Sequence, residues 1–281
     1  MNNNICPSKN LTLRTLLNAD YTSTHEAMLH TTLSRIENKK QGIVTANELW
    51  IVEHNDVYTL GQAGKEEHIL QRGKTPIIHT DRGGQVTWHG KGQLVVYWLI
   101  DLETAGWTLR DLVSHAEQSI EDVLNRTLSG NREQQFYAKS RRDAPGVYIY
   151  NVNHLMLGKI ASLGFKIKHG FSYHGIALNL TCDISSFNAI NPCGYAGMQM
   201  LKLQDFVDLQ TVSIKDDLIS DTSSNNYISD NKTDINQPSD MNQPLVNLPV
   251  SKLKVTEQLL SNIQKRLYGD IKLRDIEDKE L

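Results

Sequence analysis

The first half of the chain alternates between amphipathic segments and short apolar runs. A first helix is predicted over about residues 25–38, where apolar side chains recur near helical spacing. These side chains are Met28, Leu29, Leu33 and Ile36. Short runs rich in β-branched and aromatic residues predict strands at 48–53, 57–59 and 76–79. The uninterrupted apolar run at 94–100 indicates a buried strand.

A second helix is predicted to begin after Thr108. Asp111 stands three residues further on, as in a capping box. A single apolar stripe follows, formed by Leu109, Leu112, Val113, Ala116, Ile120, Val123 and Leu124. Strands are then predicted at 146–150, 156–167 and 172–180, with a turn at 151–154. Strands in succession without intervening helices indicate antiparallel pairing, so the pattern predicts an α+β fold in which this helix covers the sheet.

The composition changes sharply after Leu203. Asp, Ser, Asn, Thr and Gln dominate from about 211 to 243, and such a segment buries too little apolar surface to offset its ordering entropy. Helical spacing returns after Pro249, at Leu253, Val255, Leu259, Leu260, Ile263 and Leu267. We therefore predict a core domain over 1–210, a disordered polar insert over 211–248, and a C-terminal helix within 249–281 that packs on the core.

The charge balance gives no reason to expect a nucleic-acid partner. The chain has 281 residues and a formal net charge of -3. The sequence contains no apolar run of about eighteen residues, and its first ten residues are polar. We therefore expect no contact with membranes and a cytoplasmic location.

The cysteines indicate neither a disulfide framework nor a zinc site. Cys6, Cys182 and Cys193 are the three cysteines, and no two of them form a C-x-x-C pair. This usage implies a reducing compartment. Cys182 follows a predicted strand and is expected to be a packed or partly exposed small residue and not a reactive one.

Four segments combine glycines with side chains that carry chemistry. They are 82–93, 158–164, 171–179 and 191–195. Glycine lets the backbone approach a ligand closely, and here it stands beside a thiol, cations and imidazoles. The composition of 82–93 is that of a binding-site loop, although turn chemistry alone would also use such residues.

Cys193 and Lys159 are the candidate catalytic residues. A free thiol has a pKa of about 8.5, so a nearby ammonium that lowers this pKa would favour the nucleophilic thiolate. Lys159 lies in an apolar, small-residue stretch, where a lysine is costly unless it is paired or functional. Two alternatives stay open: Lys159 as an edge-strand lysine that points to water, and Cys193 as a small residue after a turn.

The order and spacing of five motifs resemble a known family. They are RGGQVTWH at 82–89, DAPGVY at 143–148, KIASLG at 159–164, HGIALN at 174–179 and NPCG at 191–194. Over roughly residues 45–205 the chain resembles the octanoyltransferases of lipoate biosynthesis. The resemblance implies the biotin/lipoate protein ligase-like fold, a two-layer α+β arrangement with a mixed, largely antiparallel sheet flanked by helices. It makes 1–210 a catalytic core, and it implies that members lack so long a polar segment at 211–248.

The resemblance also implies the chemistry. Cys193 would accept an octanoyl group from acyl carrier protein as a thioester, and Lys159 would lower the pKa of the thiol. The acceptors would be lysines on the lipoyl domains of 2-oxoacid dehydrogenase E2 subunits and on the glycine cleavage H protein. No metal and no other cofactor is implied. The residues expected to bind substrate are Arg82, Gly83, Gly84, Gln85, Val86, Thr87, Trp88, His89, Ser162, Leu163, Gly164, Gly175, Ile176 and Ala177. The backbone amides of the last two triplets are candidate donors to the substrate carbonyl.

Several roles stay open at the level of the sequence. Arg82 could orient substrate or hold its loop. His89 could carry a proton, support its loop or line the site, and His174 is expected to be a site-wall or structural histidine and not the base. The basic group Arg141, Arg142, Lys166, Lys168 and His169 could attract an acidic carrier protein or be a solvated face. The rival functions are an ATP-dependent lipoate or biotin ligase, a Cys-His acyl hydrolase, and a non-catalytic acyl-binding module.

Overall fold

The computed structural model describes residues 10–129, 135–194, 196–210 and 250–274, with Cys193 and Gln210 described by their backbone alone. The predicted insert at 211–248 lies wholly outside these residues, so the insert and the division into domains stay predictions. Cys6 lies outside them as well.

The described residues form twelve strands and four α-helices, with short 3-10 turns between them. The strands are β1 (Leu11–Ala19), β2 (Asn47–His54), β3 (Val57–Leu60), β4 (Ile77–His79), β5 (Val86–His89), β6 (Gln93–Leu99), β7 (Phe136–Ser140), β8 (Val147–Asn151), β9 (Met156–Lys168), β10 (Phe171–Asn179), β11 (Leu209–Gln210) and β12 (Val250–Ser251). The helices are α1 (Tyr21–Lys40), α2 (Leu102–Ala105), α3 (Leu109–Leu128) and α4 (Lys252–Leu267).

The main sheet of the described chain has seven strands in the order β1-β2-β6-β10-β9-β8-β7. β1 and β2 are parallel, and every other neighbouring pair is antiparallel. A smaller described sheet has the order β4-β3-β5. The mixed, largely antiparallel sheet that the sequence and the resemblance predict is confirmed.

Helices cover both faces of the main sheet. On one face Met28 of α1 packs with Trp50, Val95 and Tyr97. On the other face α3 and α4 bury their apolar stripes against the alternate side chains of the same strands, Val96 and Ile176 among them. Successive side chains of β6 and β10 point to opposite faces of the sheet, so they contribute to two separate cores.

The helix starts follow from their caps. In α3 Thr108 Oγ1 accepts the Asp111 amide at 3.1 Å and Asp111 accepts the Thr108 amide at 2.8 Å, so the predicted capping box is confirmed. Helix α1 begins at Tyr21, before the predicted start, because the Asp20 side chain accepts the Ser23 amide at 2.9 Å.

Five strands and one short helix of the described residues are not predicted, namely β1, β5, β7, β11, β12 and α2. The last three are only two to four residues long, too short to show a periodic pattern. β1 and β7 are edge strands whose side chains are mostly exposed or half-buried, so they show little apolar alternation. β5 lies within the segment 82–93, which the sequence indicates as a loop; its four residues are all buried. The remaining strands and helices match their predicted positions within a few residues.

Candidate active site

A cavity of about 390 Å³ opens between the 82–89 segment, β9 and β10. Its volume lies in the range usual for small-molecule sites. The lining residues are Tyr21, Arg82, Gly83, Gly84, Gln85, Val86, Thr87, His89, Val95, Tyr97, Leu109, Val113, Asp143, Ala144, Pro145, Lys159, Ser162, Leu163, Gly164, Phe165, His174, Gly175, Ile176 and Ala177. All the residues expected to bind substrate therefore line this one cavity, apart from Trp88. Their binding role stays a prediction.

The structure places Trp88 away from the cavity wall. Its side chain is 2% exposed and packs edge-on against the Phe187 ring, with the ring centroids 5.5 Å apart. Alternation along β5 explains the difference, because Thr87 and His89 line the cavity while Trp88 points to the opposite face. We interpret Trp88 as a structural residue whose packing supports β5.

The two small-residue triplets lie opposite each other on paired strands. Gly175 is opposite Gly164, Ile176 is opposite Leu163, and Ala177 is opposite Ser162. Residues 175–177 also pair with β6, so β10 is hydrogen-bonded on both sides at this point. The amides of 175–177 therefore take part in the hydrogen bonds of the sheet. The expectation that they donate to a substrate carbonyl is wrong, and this triplet forms part of the cavity wall. For 162–164 the expectation stays a prediction.

Arg82 holds the signature segment through hydrogen bonds. The guanidinium donates to the Thr59 carbonyl at 2.6 Å, to the Gln85 carbonyl at 2.7 Å and to the Gly83 carbonyl at 2.8 Å. It also donates to Thr59 Oγ1 at 2.9 Å. A charged group that satisfies several carbonyls is a strong local tie. The loop-holding role left open by the sequence is therefore present in the structure.

His89 belongs to a buried chain of hydrogen bonds that leads towards Lys159. His89 Nδ1 and Gln93 Oε1 lie 2.7 Å apart, and Gln93 donates to Asn179 at 2.9 Å. Asn179 in turn donates to the Leu201 carbonyl at 2.9 Å, and the Leu201 amide donates to the Lys159 carbonyl at 2.8 Å. Burial lowers the pKa of His89 to about 3, so the ring is neutral at physiological pH.

His174 belongs to a second polar group, which is centred on Asp81. Its ring Nε2 lies 2.9 Å from Asp81 Oδ1, and His25 Nε2 lies 3.0 Å from the same oxygen. Tyr173 donates its hydroxyl to the other Asp81 oxygen. Burial lowers the pKa of His174 to about 4 although Asp81 opposes the shift. The Nδ1 atom of His174 is buried and has no hydrogen-bond partner among the described residues.

The same three groups have the composition of a metal site. The ligand atoms of His25, Asp81 and His174 lie within 4.8 Å of one another. Hydrogen bonds to Asp81 already account for the Nε2 atoms of both rings, and they hold the pKa of the carboxyl well below its usual range although burial would raise it. The sequence predicts no metal, and this stays a prediction.

Lys159 is buried, which contradicts the interpretation of an edge lysine pointing to water. It is 1% exposed, lies on β9 between β8 and β10, and lines the cavity. Its ammonium donates to the Pro145 carbonyl at 2.8 Å and lies 5.4 Å from the Tyr148 ring centroid. A buried cation needs such partners, because desolvation is costly.

The backbone of Cys193 lies in the 3-10 turn Pro192–Gly194. A Cβ built on Gly194 would lie 3.2 Å from Gln85 Cγ, so the turn adjoins the cavity wall. The chain returns to Lys159 further on, where the Lys159 amide donates to the Gln199 carbonyl at 2.8 Å. Gly194 thus adjoins Gln85, and Gln199 adjoins Lys159. By contrast Cys182 is buried, as predicted, and burial raises its pKa to about 12.

The sequence missed the residues that reach the cavity from distant elements. Tyr21, Val95, Tyr97, Leu109 and Val113 line it but belong to ordinary helix and strand patterns. The cavity is also lined by Asp143, Ala144 and Pro145, which lie in the motif DAPGVY. This motif is the feature of the sequence that points to them.

Comparison with known proteins identifies the family. Residues 23–220 match the family model of the lipoyl protein ligase A/B catalytic domain. A protein of Psychrobacter cryohalolentis named octanoyltransferase is 53% identical, over 97% of this chain and 95% of its own length. The chain belongs to the octanoyltransferases. A Shewanella pealeana octanoyltransferase is 48% identical, over 72% of this chain and 84% of its own length. As a member of this family the protein is an acyltransferase.

The fold of this octanoyltransferase also occurs in a solved structure. A T. acidophilum protein described as a lipoate protein ligase, solved with bound lipoic acid, superposes with a TM-score of 0.51 at 13% identity. The match covers 92% of this chain and 86% of that chain. The ligase-like fold that the resemblance implies is confirmed. Among the described residues, no helix combines the length and apolarity that a membrane span requires.

Proposed function

We propose that this octanoyltransferase moves an octanoyl group from acyl carrier protein to the lysine amine of lipoyl domains through a thioester on Cys193. The observation that carries the proposal is the buried Lys159 ammonium in the wall of a cavity that the Cys193 turn adjoins. Family membership supplies the reaction class. The acceptors would be the lipoyl domains of 2-oxoacid dehydrogenase E2 subunits and the glycine cleavage H protein, and the reaction would take place in the cytoplasm.

The first half of the reaction acylates the enzyme. The Cys193 thiolate attacks the thioester carbonyl of the donor, the new carbon–sulfur bond forms, and the bond to the phosphopantetheine sulfur breaks. The departing thiolate takes up a proton. Lys159 stabilises the Cys193 thiolate and serves as the proton donor. The apolar wall formed by Val113, Leu163 and Ile176 holds the hydrocarbon chain.

The second half releases the acyl group to nitrogen. The acceptor lysine amine attacks the Cys193 thioester, the amide bond forms, the Cys193 sulfur leaves, and the proton from the amine returns to the enzyme. Lys159 is the group placed to accept that proton. No step uses a nucleotide.

A transfer assay without ATP tests the reaction class. The full-length protein is incubated with octanoyl-acyl carrier protein and an unmodified lipoyl domain, and the domain is analysed by mass spectrometry. Transfer without ATP is expected. A requirement for free octanoate and ATP would favour the ligase alternative, and release of free octanoate without acceptor modification would favour the hydrolase.

A Lys159→Met variant tests the second member of the pair. Because Met keeps the length of the side chain and loses the ammonium, the transfer rate should fall by about 10²- to 10⁴-fold. Lys139→Met is the matched control, since Lys139 is an exposed lysine on β7. An unchanged rate in Lys159→Met with the fold intact would remove Lys159 from the mechanism.

The end of the β9–β10 hairpin is the proposed docking site for the acidic carrier. Lys168 and His169 are exposed there and Lys166 is half-buried. The Lys166→Glu/Lys168→Glu variant should raise the KM for the carrier at low salt and lose that effect at high salt. Lys139→Glu is the control. A KM equal to that of the wild type at low salt would place the carrier elsewhere.

A further inference from the structure

Two buried carboxylates on α3 hold both ends of the loop that precedes β8. Glu117 accepts the Gly146 amide at 2.9 Å, and Glu121, one helical turn later, accepts the Ser140 amide at 2.5 Å. Ser140 ends β7 and Gly146 directly precedes β8. Asp143, Ala144 and Pro145 of the clamped loop line the cavity.

The Gly146 end of this loop fits against the Lys159 side chain. A Cβ built on Gly146 would lie 2.4 Å from Lys159 Cε and 2.7 Å from Nζ, so the glycine leaves the space that the lysine fills. The Pro145 carbonyl accepts the ammonium at 2.8 Å. The Pro145–Gly146 peptide therefore fixes the location of the Lys159 ammonium from two sides.

Glu117 accepts a hydrogen bond from the amide of this peptide. Its carboxylate bonds the amide of the same residue whose missing side chain makes room for Lys159. The charged groups that act on Glu117 are Glu121 on its own helix and Lys159 on β9. Burial raises the pKa of Glu117 to about 7; Glu121 adds to this shift, whereas the Gly146 amide and the Lys159 ammonium oppose it.

We propose that Glu117 is a positioning residue for acyl transfer: it fixes the Pro145–Gly146 peptide by hydrogen bonding and thereby holds the Lys159 ammonium in place. The inference rests on the proposed function, because it assigns Glu117 to the Cys193–Lys159 pair. Glu117 does not contact the reacting atoms. Displacing a catalytic group by about 1 Å can lower a rate by about 100-fold, so a distant clamp can have a large effect.

The test follows the reactivity of the Cys193 thiol. The pH dependence of alkylation by iodoacetamide is measured on the full-length protein, with the modified cysteine identified by peptide mass spectrometry. Buried Cys182 is the internal control. Glu117→Ala should move the Cys193 alkylation midpoint to higher pH, in the direction of Lys159→Met, and lower kcat for transfer by about 100-fold. A merely structural residue would not move this midpoint in a folded protein.

Three further variants separate the possible outcomes. Glu117→Gln keeps an oxygen for the Gly146 amide, so it should retain the wild-type midpoint; a midpoint shifted as far as in Glu117→Ala would overturn the hydrogen-bond route. In Glu117→Asp the side chain is too short to reach the Gly146 amide, so the alkylation midpoint should again move to higher pH. This variant replaces Glu117→Ala as the test if Glu117→Ala does not fold. A wild-type midpoint in folded Glu117→Asp overturns the proposal. If Lys159→Met itself leaves the midpoint unchanged, the Cys193–Lys159 pair fails, which is a failure of the proposed function and not of the clamp.

Discussion

At the scale of single residues, the buried position of Lys159 requires a glycine at position 146. Its φ of +143° disfavours any side chain, and the position of a Cβ is already occupied by the Lys159 methylene and ammonium groups. The motif DAPGVY thus carries a glycine because a buried lysine on the neighbouring strand needs its volume.

Substituting this glycine should affect activity and stability together. We predict that Gly146→Ala displaces the Lys159 ammonium and lowers the transfer rate by about 100-fold. Gly42→Ala is the matched control, because Gly42 also has a positive φ, +75°, but has open space around its Cβ position. The control should lose about 1 kcal/mol of stability and keep its rate. Equal transfer rates in the two variants would contradict the packing argument.

The sequence predicts the residues of the site that occur in local motifs, and it misses those supplied by distant elements. Cys193, Lys159 and the 82–89 segment are visible because unusual residue types stand close together in the chain. Glu117 and Asp81 are not, since a carboxylate on an amphipathic helix or before a loop is ordinary in sequence. The burial of Glu117, its bond to Gly146 and the bond of half-buried Asp81 to His174 all arise from tertiary packing.

At the scale of elements, α3 joins the cavity to the C-terminal helix. One face of α3 presents Glu117 to the loop 141–146 that lines the cavity. On α4, Asn262 and Arg266 donate to Asp122 at 3.0 Å and 2.6 Å. Leu259 and Ile263 of α4 are fully buried in the core that includes α3. Helix α4 is therefore part of the support of α3.

Weakening this contact should destabilise the protein. Leu259→Ala removes a fully buried side chain, and we predict a loss of about 2–5 kcal/mol in the free energy of unfolding, measured by urea denaturation. Glu257→Ala is the control on the same helix, because Glu257 is exposed, and it should change stability by less than about 0.5 kcal/mol. A Leu259→Ala variant as stable as the control would show that α4 is not part of the core.

The predictability of the elements follows their burial. Helix α3 and strands β6, β9 and β10 were predicted because each has a clear apolar pattern or cap. β1 and β7 were missed because an edge strand that faces water needs no such pattern. Strand order cannot be read from one sequence, since it depends on contacts between distant segments, as in the pairing of β6 with β10.

At the scale of the whole molecule, buried neutral imidazoles should make stability depend on pH. Burial lowers the pKa of His54 to about 4, of His89 to about 3 and of His174 to about 4, whereas an unfolded histidine titrates near about 6.5. Below that pH the unfolded chain binds protons that the folded chain does not. Glu117 acts in the opposite sense, because its pKa is raised to about 7.

The three imidazoles outweigh the one carboxyl. We therefore predict that the free energy of unfolding falls as the pH is lowered from neutral towards about 5, each imidazole contributing up to about 1.4 kcal/mol per pH unit below about 6.5. Urea denaturation at a series of pH values measures this slope. A free energy that stays constant or rises over the same interval would contradict the burial of neutral rings.

The central claim is the covalent intermediate, and intact-protein mass spectrometry tests it most directly. Wild type, Cys193→Ser and Cys182→Ala are incubated with octanoyl-acyl carrier protein without ATP, and an unmodified lipoyl domain is then added. Wild type and Cys182→Ala should each gain an octanoyl group and pass it to the domain, while Cys193→Ser should gain none and modify no domain. An adduct on Cys193→Ser, or domain modification by it at the wild-type rate, would rule out a thioester on Cys193.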